Sequence, residues 1–247
     1  MSDGRGKVTI GVDGQKIEGT ILAPEKLVPG ILFVHGWGGS QAQDLRRARK
    51  ISRLGCLCFT FDLRGHAATE PMRERVTREE NLNDLCAAYD FLAGQPQVDK
   101  SAIAVVGSSY GGYLAAILTS MRPVNWLALR VPALYRDEDW ETPKAALDRD
   151  DLNKYRQTWL SYSDNRALRA CSEFEGDVLI VESECDEMVP HPAVGGYMAS
   201  FRSARSLTYR VLKGADHALS TEKDRAAYNK ILNGWVTNMV LGARMGD

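Results

Sequence analysis

A serine with glycine two positions to either side is the pattern a nucleophilic hydroxyl calls for, and Gly107-Ser108-Ser109-Tyr110-Gly111 provides it with Ser109 at the centre. Held out on a sharp strand-to-helix bend, such a hydroxyl can attack a carbonyl carbon, and the flanking glycines remove Cβ atoms that would clash there. Ahead of the motif, Ala102-Ile103-Ala104-Val105-Val106 reads as a short buried strand. Behind it, Leu114, Ile117, Leu118 and Met121 recur at helical spacing, which predicts a helix with one apolar face.

An unassisted serine hydroxyl is a weak nucleophile, so a general base within hydrogen-bonding reach must take its proton. Histidine suits that task by its near-neutral pKa. The chain has four: His35, His66, His191 and His217. The other ring nitrogen of the base needs a carboxylate, which fixes the tautomer and stabilises the imidazolium. Asp186 follows the apolar run Val178-Leu179-Ile180-Val181, with Glu184 and Glu187 beside it, and Asp216 adjoins His217. As a sequence neighbour, Asp216 tends to point away from that ring and ranks below Asp186. The oxyanion formed in the attack needs two fixed donors, and the Tyr110 N–H follows the nucleophile directly.

Four segments together resemble the α/β-hydrolase superfamily, from about Lys7 to about Leu241. Ile31-Leu32-Phe33-Val34 runs into His35-Gly36-Trp37-Gly38-Gly39, similar to the family's H-G-x-G oxyanion loop. Asp62-Leu63-Arg64-Gly65-His66 is similar to its D-x-R-G-H turn. The serine motif from Gly107 to Tyr113 resembles the prolyl-oligopeptidase-like and dienelactone-hydrolase-like branches. Asp186-Glu187-Met188-Val189-Pro190 and Gly214-Ala215-Asp216-His217 resemble the acid and histidine loops.

The resemblance implies the chain order serine, acid, histidine, with the base after the final strand. That assigns Ser109, Asp186 and His217 as the triad, and the backbone N–H groups of Trp37 and Tyr110 as the oxyanion hole. His35 and His66 precede the serine and are expected to fix loop shape, and His191 is expected to be structural. The implied activity is hydrolysis of carboxylic esters through an acyl-serine intermediate, with a small-molecule acyl ester, moderately sized and partly apolar, as the expected substrate. An acyl thioesterase and an acyl-peptide or prolyl-type peptidase are the enzymatic alternatives, although such peptidases normally carry a propeller domain for which 247 residues leave no room. A ligand receptor or scaffold on the same fold is the non-enzymatic one.

Composition narrows the field. Lys+Arg 31 against Asp+Glu 32 gives a net charge of −1, which argues against nucleic-acid or anionic-lipid partners. The opening Met1-Ser2-Asp3-Gly4-Arg5-Gly6 leads into no apolar stretch, so neither a signal peptide nor a membrane anchor is expected, and the cytoplasm is the default location. The five cysteines are odd in number and lack metal-ligand spacing; packing roles are expected, with Cys185 partly exposed beside the acid loop. No metal is expected, and Gly36, Gly38 and Gly39 form no dinucleotide fingerprint, so no cofactor is expected either. Nothing in the chain bears on oligomeric state.

The elements that must position these residues follow from periodicity. Apolar or alternating runs near 7–12, 16–22, 30–35, 55–61, 102–107, 125–131, 177–183 and 206–212 predict eight strands. Asp13-Gly14 joins the first two as a hairpin. Thr77 caps a helix bearing Leu82, Leu85, Cys86, Tyr89 and Leu92, and Thr221 opens another with Tyr228, Ile231, Leu232, Trp235 and Met239. The alternation predicts one α/β domain over 1–247, with an eight-stranded, mostly parallel sheet flanked by helices. The stretch 132–176 interrupts the rhythm. Its aromatics, with a helix starting at Thr142-Pro143 and presenting Leu152, Tyr155 and Trp159, are read as a helical lid. An ordinary crossing helix packed by those aromatics is the alternative.

Overall fold

A computed structural model describes residues 5–22 and 27–245. The reading of Met1 to Gly4 as part of a leaderless start lies outside the described residues. Eight strands form one sheet: β1 (Arg5–Val12), β2 (Gln15–Leu22), β3 (Val28–Val34), β4 (Leu57–Phe61), β5 (Val98–Ser108), β6 (Trp126–Arg130), β7 (Asp177–Ser183) and β8 (Ser206–Leu212). Their order is β1-β2-β4-β3-β5-β6-β7-β8. The pairs β1–β2 and β2–β4 are antiparallel, and every pairing from β4 to β8 is parallel. The hairpin turn places Asp13 at φ 50° and Gly14 at φ 74°, the left-handed pair that a two-residue turn requires.

Alternation along each strand divides the interior in two. Ile31 and Phe33 face α1 (Gln41–Ile51) and α7 (Glu222–Met245), where Ala48, Ile51, Tyr228, Leu232 and Val236 are buried. Leu32 and Val34 face the opposite layer, built from α2 (Arg78–Ala93), α3 (Tyr110–Leu118), α5 (Arg166–Glu173) and α6 (His191–Ser200). The predicted stripe of α2 is buried throughout, and Thr77 and Glu80 close a capping box at its start. Thr221 likewise accepts from the Asp224 N–H at 3.1 Å at the head of α7.

Three boundaries differ from expectation. α3 ends at Leu118, so Met121 lies beyond its apolar face and is exposed. β5 starts at Val98 because Val28 and Val98 pair ahead of a register shift at Pro29/Gly30, a tertiary contact that periodicity does not show. In 132–176, Pro143 opens only a short 3-10 turn over 144–146; the helix itself is α4 (Arg149–Arg156). Asp148 caps it by accepting from the Asp151 N–H at 2.9 Å, with Asp150 and Asp151 favoring its N-terminal dipole, a better start than Thr142-Pro143. Trp159 therefore falls outside the helix and is 62% exposed, while Leu152 and Tyr155 are buried.

Connections from β3 run to β4 on one side, and β5 lies on the other. The crevice at such a reversal, outside the carboxyl ends of the strands, is where open α/β sheets bind ligands. The loop after β3 and the turn after β5 both end there.

Candidate active site

Ser109 sits where β5 turns into α3, at φ 52° and ψ −114°, a left-handed conformation that a side-chain-bearing residue adopts only under constraint. The constraint is visible on both sides. The Ser109 N–H donates to the Arg130 carbonyl at 2.9 Å, and the Ser109 carbonyl accepts from Tyr113 at 3.0 Å and Ala133 at 3.1 Å. A Cβ at Gly107 would lie 2.6 Å from the Gly111 carbonyl, and one at Gly111 would lie 2.3 Å from that of Val34. Only glycine allows the strand, turn and helix to close this tightly. Although Ser109 occupies the cap position of α3, its hydroxyl makes no capping hydrogen bond.

His217 lies in the loop after β8, and its Nδ1 meets Asp186 Oδ2 at 2.7 Å. Asp186 Oδ1 accepts from the N–H groups of Met188 at 2.8 Å and Val189 at 2.7 Å. The carboxylate is thus oriented by two backbone donors before it meets the ring. The acid and histidine loops are fastened together by Cys185 N–H to the Ala215 carbonyl at 2.9 Å. Glu184 accepts from the Gly214 N–H at 2.8 Å and pairs with Lys213 at 2.6 Å. Asp216 caps its own loop by accepting from Ser220. Of the acidic candidates, then, Asp186 is the one bonded to His217.

His35, Gly36, Trp37, Gly38, Gly39, Ser109 and His217 line one cleft of about 180 Å³. In the glycine turn, Gly38 N–H donates to His66 Nε2 at 3.0 Å and Gly39 N–H to the Gly36 carbonyl at 2.9 Å. The turn's described hydrogen bonds thus do not use the Trp37 N–H. Tyr110 is the first residue of α3, where a helix leaves its N–H groups without intrahelical acceptors.

Of the remaining histidines, His35 and His66 hold loops. His35 Nε2 accepts from the Leu63 N–H at 3.1 Å, and its ring lies 4.8 Å from that of His66. Burial, and then the proximity of His35, lowers the His66 pKa to about 4, so the ring stays neutral and able to accept from Gly38. His191 is bonded to Glu182 on an exposed part of α6. Cys185 is exposed, and the other four cysteines are buried.

Three groups at the site escaped sequence reasoning. Lys144 Nζ lies 4.9 Å from the centre of the Trp37 ring and 5.2 Å from that of Tyr135; burial, together with Arg156 and Arg78, lowers its pKa to about 8. Arg47 and Arg130 complete the cleft on the α1 side. Their signal was too weak to find, since an arginine on a helix or at a strand end normally faces solvent. Arg136 grips Asp151 through two hydrogen bonds, and Asp137 accepts from the Arg166 N–H. Among the described residues no group of three or more His, Cys, Asp or Glu could hold a metal ion, and no helix is long and apolar enough to cross a membrane.

The model of the alpha/beta hydrolase family matches residues 31–231. The alpha/beta hydrolase domain-containing protein WAV2 of Arabidopsis thaliana is 36% identical over 111 residues, 44% of this chain and 34% of that protein. The thiohydrolase aneE of Aspergillus aculeatus is 30% identical over 106 residues, 42% of this chain and 33% of that protein. The chain thus spans about a third of each of these relatives. Among solved structures, dienelactone hydrolase from Anabaena variabilis superposes with a TM-score of 0.68 at 17% identity, covering 95% of this chain and 97% of that one.

Proposed function

The chain belongs to the alpha/beta hydrolase family, and on that premise we propose that it is a serine hydrolase cleaving carboxylic esters through an acyl-serine intermediate. The observation that carries this reading is the row formed by a buried Asp186, its 2.7 Å bond to His217 Nδ1, and a cleft lined by both His217 and the strained Ser109. With Nδ1 committed to Asp186, Nε2 is the nitrogen left to accept the Ser109 proton as Oγ attacks the ester carbonyl. The Trp37 and Tyr110 N–H groups receive the charge on the carbonyl oxygen, each worth roughly a hundredfold to a thousandfold in rate. The imidazolium then protonates the leaving alcohol. In the second half, His217 takes a proton from water, whose oxygen attacks the acyl carbon, and Ser109 regains its proton as the acid departs.

On this reading the substrate is a small-molecule acyl ester, met in the cytoplasm, where the five cysteines stay reduced. The stretch 132–176 then forms the roof of the site, with Lys144 bearing on the Trp37 ring. The test is labelling by a fluorophosphonate probe alongside turnover of p-nitrophenyl acetate. Both are expected in the wild type and neither in Ser109→Ala; labelling that survives this substitution overturns the assigned nucleophile. A thioesterase is the second reading, favored by the likeness to a thiohydrolase. Acyl-CoA turned over much faster than the matching oxygen ester would select it.

A further inference from the structure

On the α1 side of the cleft, next to Ser109, lies a cluster that the ester-cleaving mechanism leaves unused. Arg130 ends β6, pairs in register with Ser108, and receives the Ser109 N–H on its carbonyl. The residue is only 7% exposed, yet its Nε and Nη1 are buried without a hydrogen-bond partner. Arg47, reaching in from α1, has a buried Nε in the same state. Both guanidinium groups lie over the Tyr228 ring, 5.8 Å and 5.1 Å from its centre. Both line the cleft together with Ser109 and His217.

The nearby carboxylates are already committed. Asp44 is bonded to Arg47 Nη1 at 2.7 Å, and Asp186 is consumed by His217 and two backbone N–H groups. No described hydrogen bond joins either of them to Arg130. Buried guanidinium donors are normally satisfied, and two guanidinium groups short of acceptors at the wall of a cleft are suited to take one from a ligand that enters it. Burial also draws the Arg130 pKa below its ordinary value, with Arg47 adding repulsion, so an anion arriving there would relieve two like charges at once.

We propose that this cleft is a subsite for a compact anion carried by the substrate, a carboxylate bound by Arg130 and Arg47, so that the preferred esters are half-esters of dicarboxylic acids. The proposal rests on the serine-hydrolase reading for its link to turnover, but the anion site itself is testable without it. Binding needs no covalent step: the planar guanidinium donors of Arg130 and Arg47 meet the two carboxylate oxygens, as arginine does wherever planar oxyanions are recognised.

The test compares p-nitrophenyl hemiglutarate with p-nitrophenyl valerate, a pair of similar length differing in the terminal charge. The wild type is expected to favor the hemiglutarate, and the ratio of the two kcat/KM values is expected to fall at least tenfold in Arg130→Met and to recover in part in Arg130→Lys. On the wild type alone, glutarate is expected to inhibit valerate hydrolysis at concentrations where the neutral glutaramide does not. Inorganic phosphate forms a separate arm: inhibition stronger than that by glutarate would replace the carboxylate with a phosphoryl group and overturn the half-ester assignment. Equal inhibition by glutaramide, or a substrate ratio unchanged in an Arg130→Met protein that still takes the fluorophosphonate label, overturns the proposal. If Arg130→Met fails to fold, Arg47→Met serves in its place with the same expectation. Calorimetric titration of glutarate into Ser109→Ala separates the two readings, since binding there stands even if no ester is cleaved, and absent binding sinks the subsite while the labelling result stands.

Discussion

The Asp186 carboxylate reaches His217 Nδ1 at 2.7 Å with only 1% of its own side chain exposed, against 19% for the histidine. One carboxylate oxygen faces the ring and the other faces two backbone donors, so the group cannot rotate without losing hydrogen bonds at both ends. Asp186→Asn preserves the shape but presents an amide, which favors the tautomer with the proton on Nε2, the nitrogen proposed to accept from Ser109. A fall in kcat of roughly a thousandfold or more is expected for p-nitrophenyl acetate, with an unchanged circular dichroism spectrum. A loss below tenfold would remove Asp186 from the catalytic row.

Gly111 and Gly234 predict opposite outcomes for the same substitution. A Cβ at Gly111 would sit 2.3 Å from the Val34 carbonyl and 2.5 Å from that of His35, both backbone atoms that cannot swing away. Gly111→Ala is expected to lower stability by about 1–3 kcal/mol and to abolish turnover by opening the elbow. Gly234 lies inside α7 with nothing within 4 Å of such a Cβ. There the alanine is expected to add about 0.5–1 kcal/mol by restricting the unfolded chain and favoring helix. Urea unfolding of the two variants against wild type checks both signs.

His66 ties stability to pH. Its folded pKa of about 4 lies below the ordinary 6.5, so the unfolded state takes up the proton first as the solution is acidified. The contribution is therefore complete above pH 6.5 and is lost as pH falls toward 4, to an extent of up to about 3 kcal/mol. Urea midpoints measured between pH 7 and pH 4 are expected to fall for the wild type and to fall less steeply for His66→Gln, whose amide oxygen can still accept from Gly38. Parallel slopes would show that the ring does not carry this linkage.

Arg64 is held by Asp84 through Nε at 2.6 Å and through its own backbone N–H at 2.8 Å, with the Asp84 side chain wholly buried. Asn81 joins Asp84 to the hydroxyl of Tyr110, so the pair also braces the first turn of α3. Asp84→Ala leaves a buried guanidinium without its main partner and is expected to cost about 3–5 kcal/mol in chemical denaturation. Replacing both residues, as Arg64→Met with Asp84→Leu, is expected to cost less than the single change, because no buried charge is then left alone.

The sequence by itself determined the alternation of strands and helices, since apolar period is a local property: the α2 stripe from Leu82 to Leu92 is buried as its spacing required. It also marked Ser109, because the residue types the elbow demands stand at five consecutive positions, Gly107 to Gly111, although the atoms that require them include the Val34 carbonyl. Element ends were less legible. The start of β5 depends on a partner strand some seventy residues away, and the start of α4 on which of several polar residues caps it.

The sequence put Asp186 ahead of the other carboxylates, but only the tertiary structure shows how it reaches His217. Glu184 and Asp186 are two residues apart, yet one turns outward to Lys213 and the other inward, because Cys185 between them is hydrogen-bonded to the histidine loop. It alone brought Arg47, from the second turn of α1, beside Arg130 at the end of β6. Such meetings arise from the packing of helices on a twisted sheet and leave no period or motif in either segment. Chemistry confined to one turn can be read along the chain, whereas chemistry shared between distant elements exists only once the sheet has set their distances.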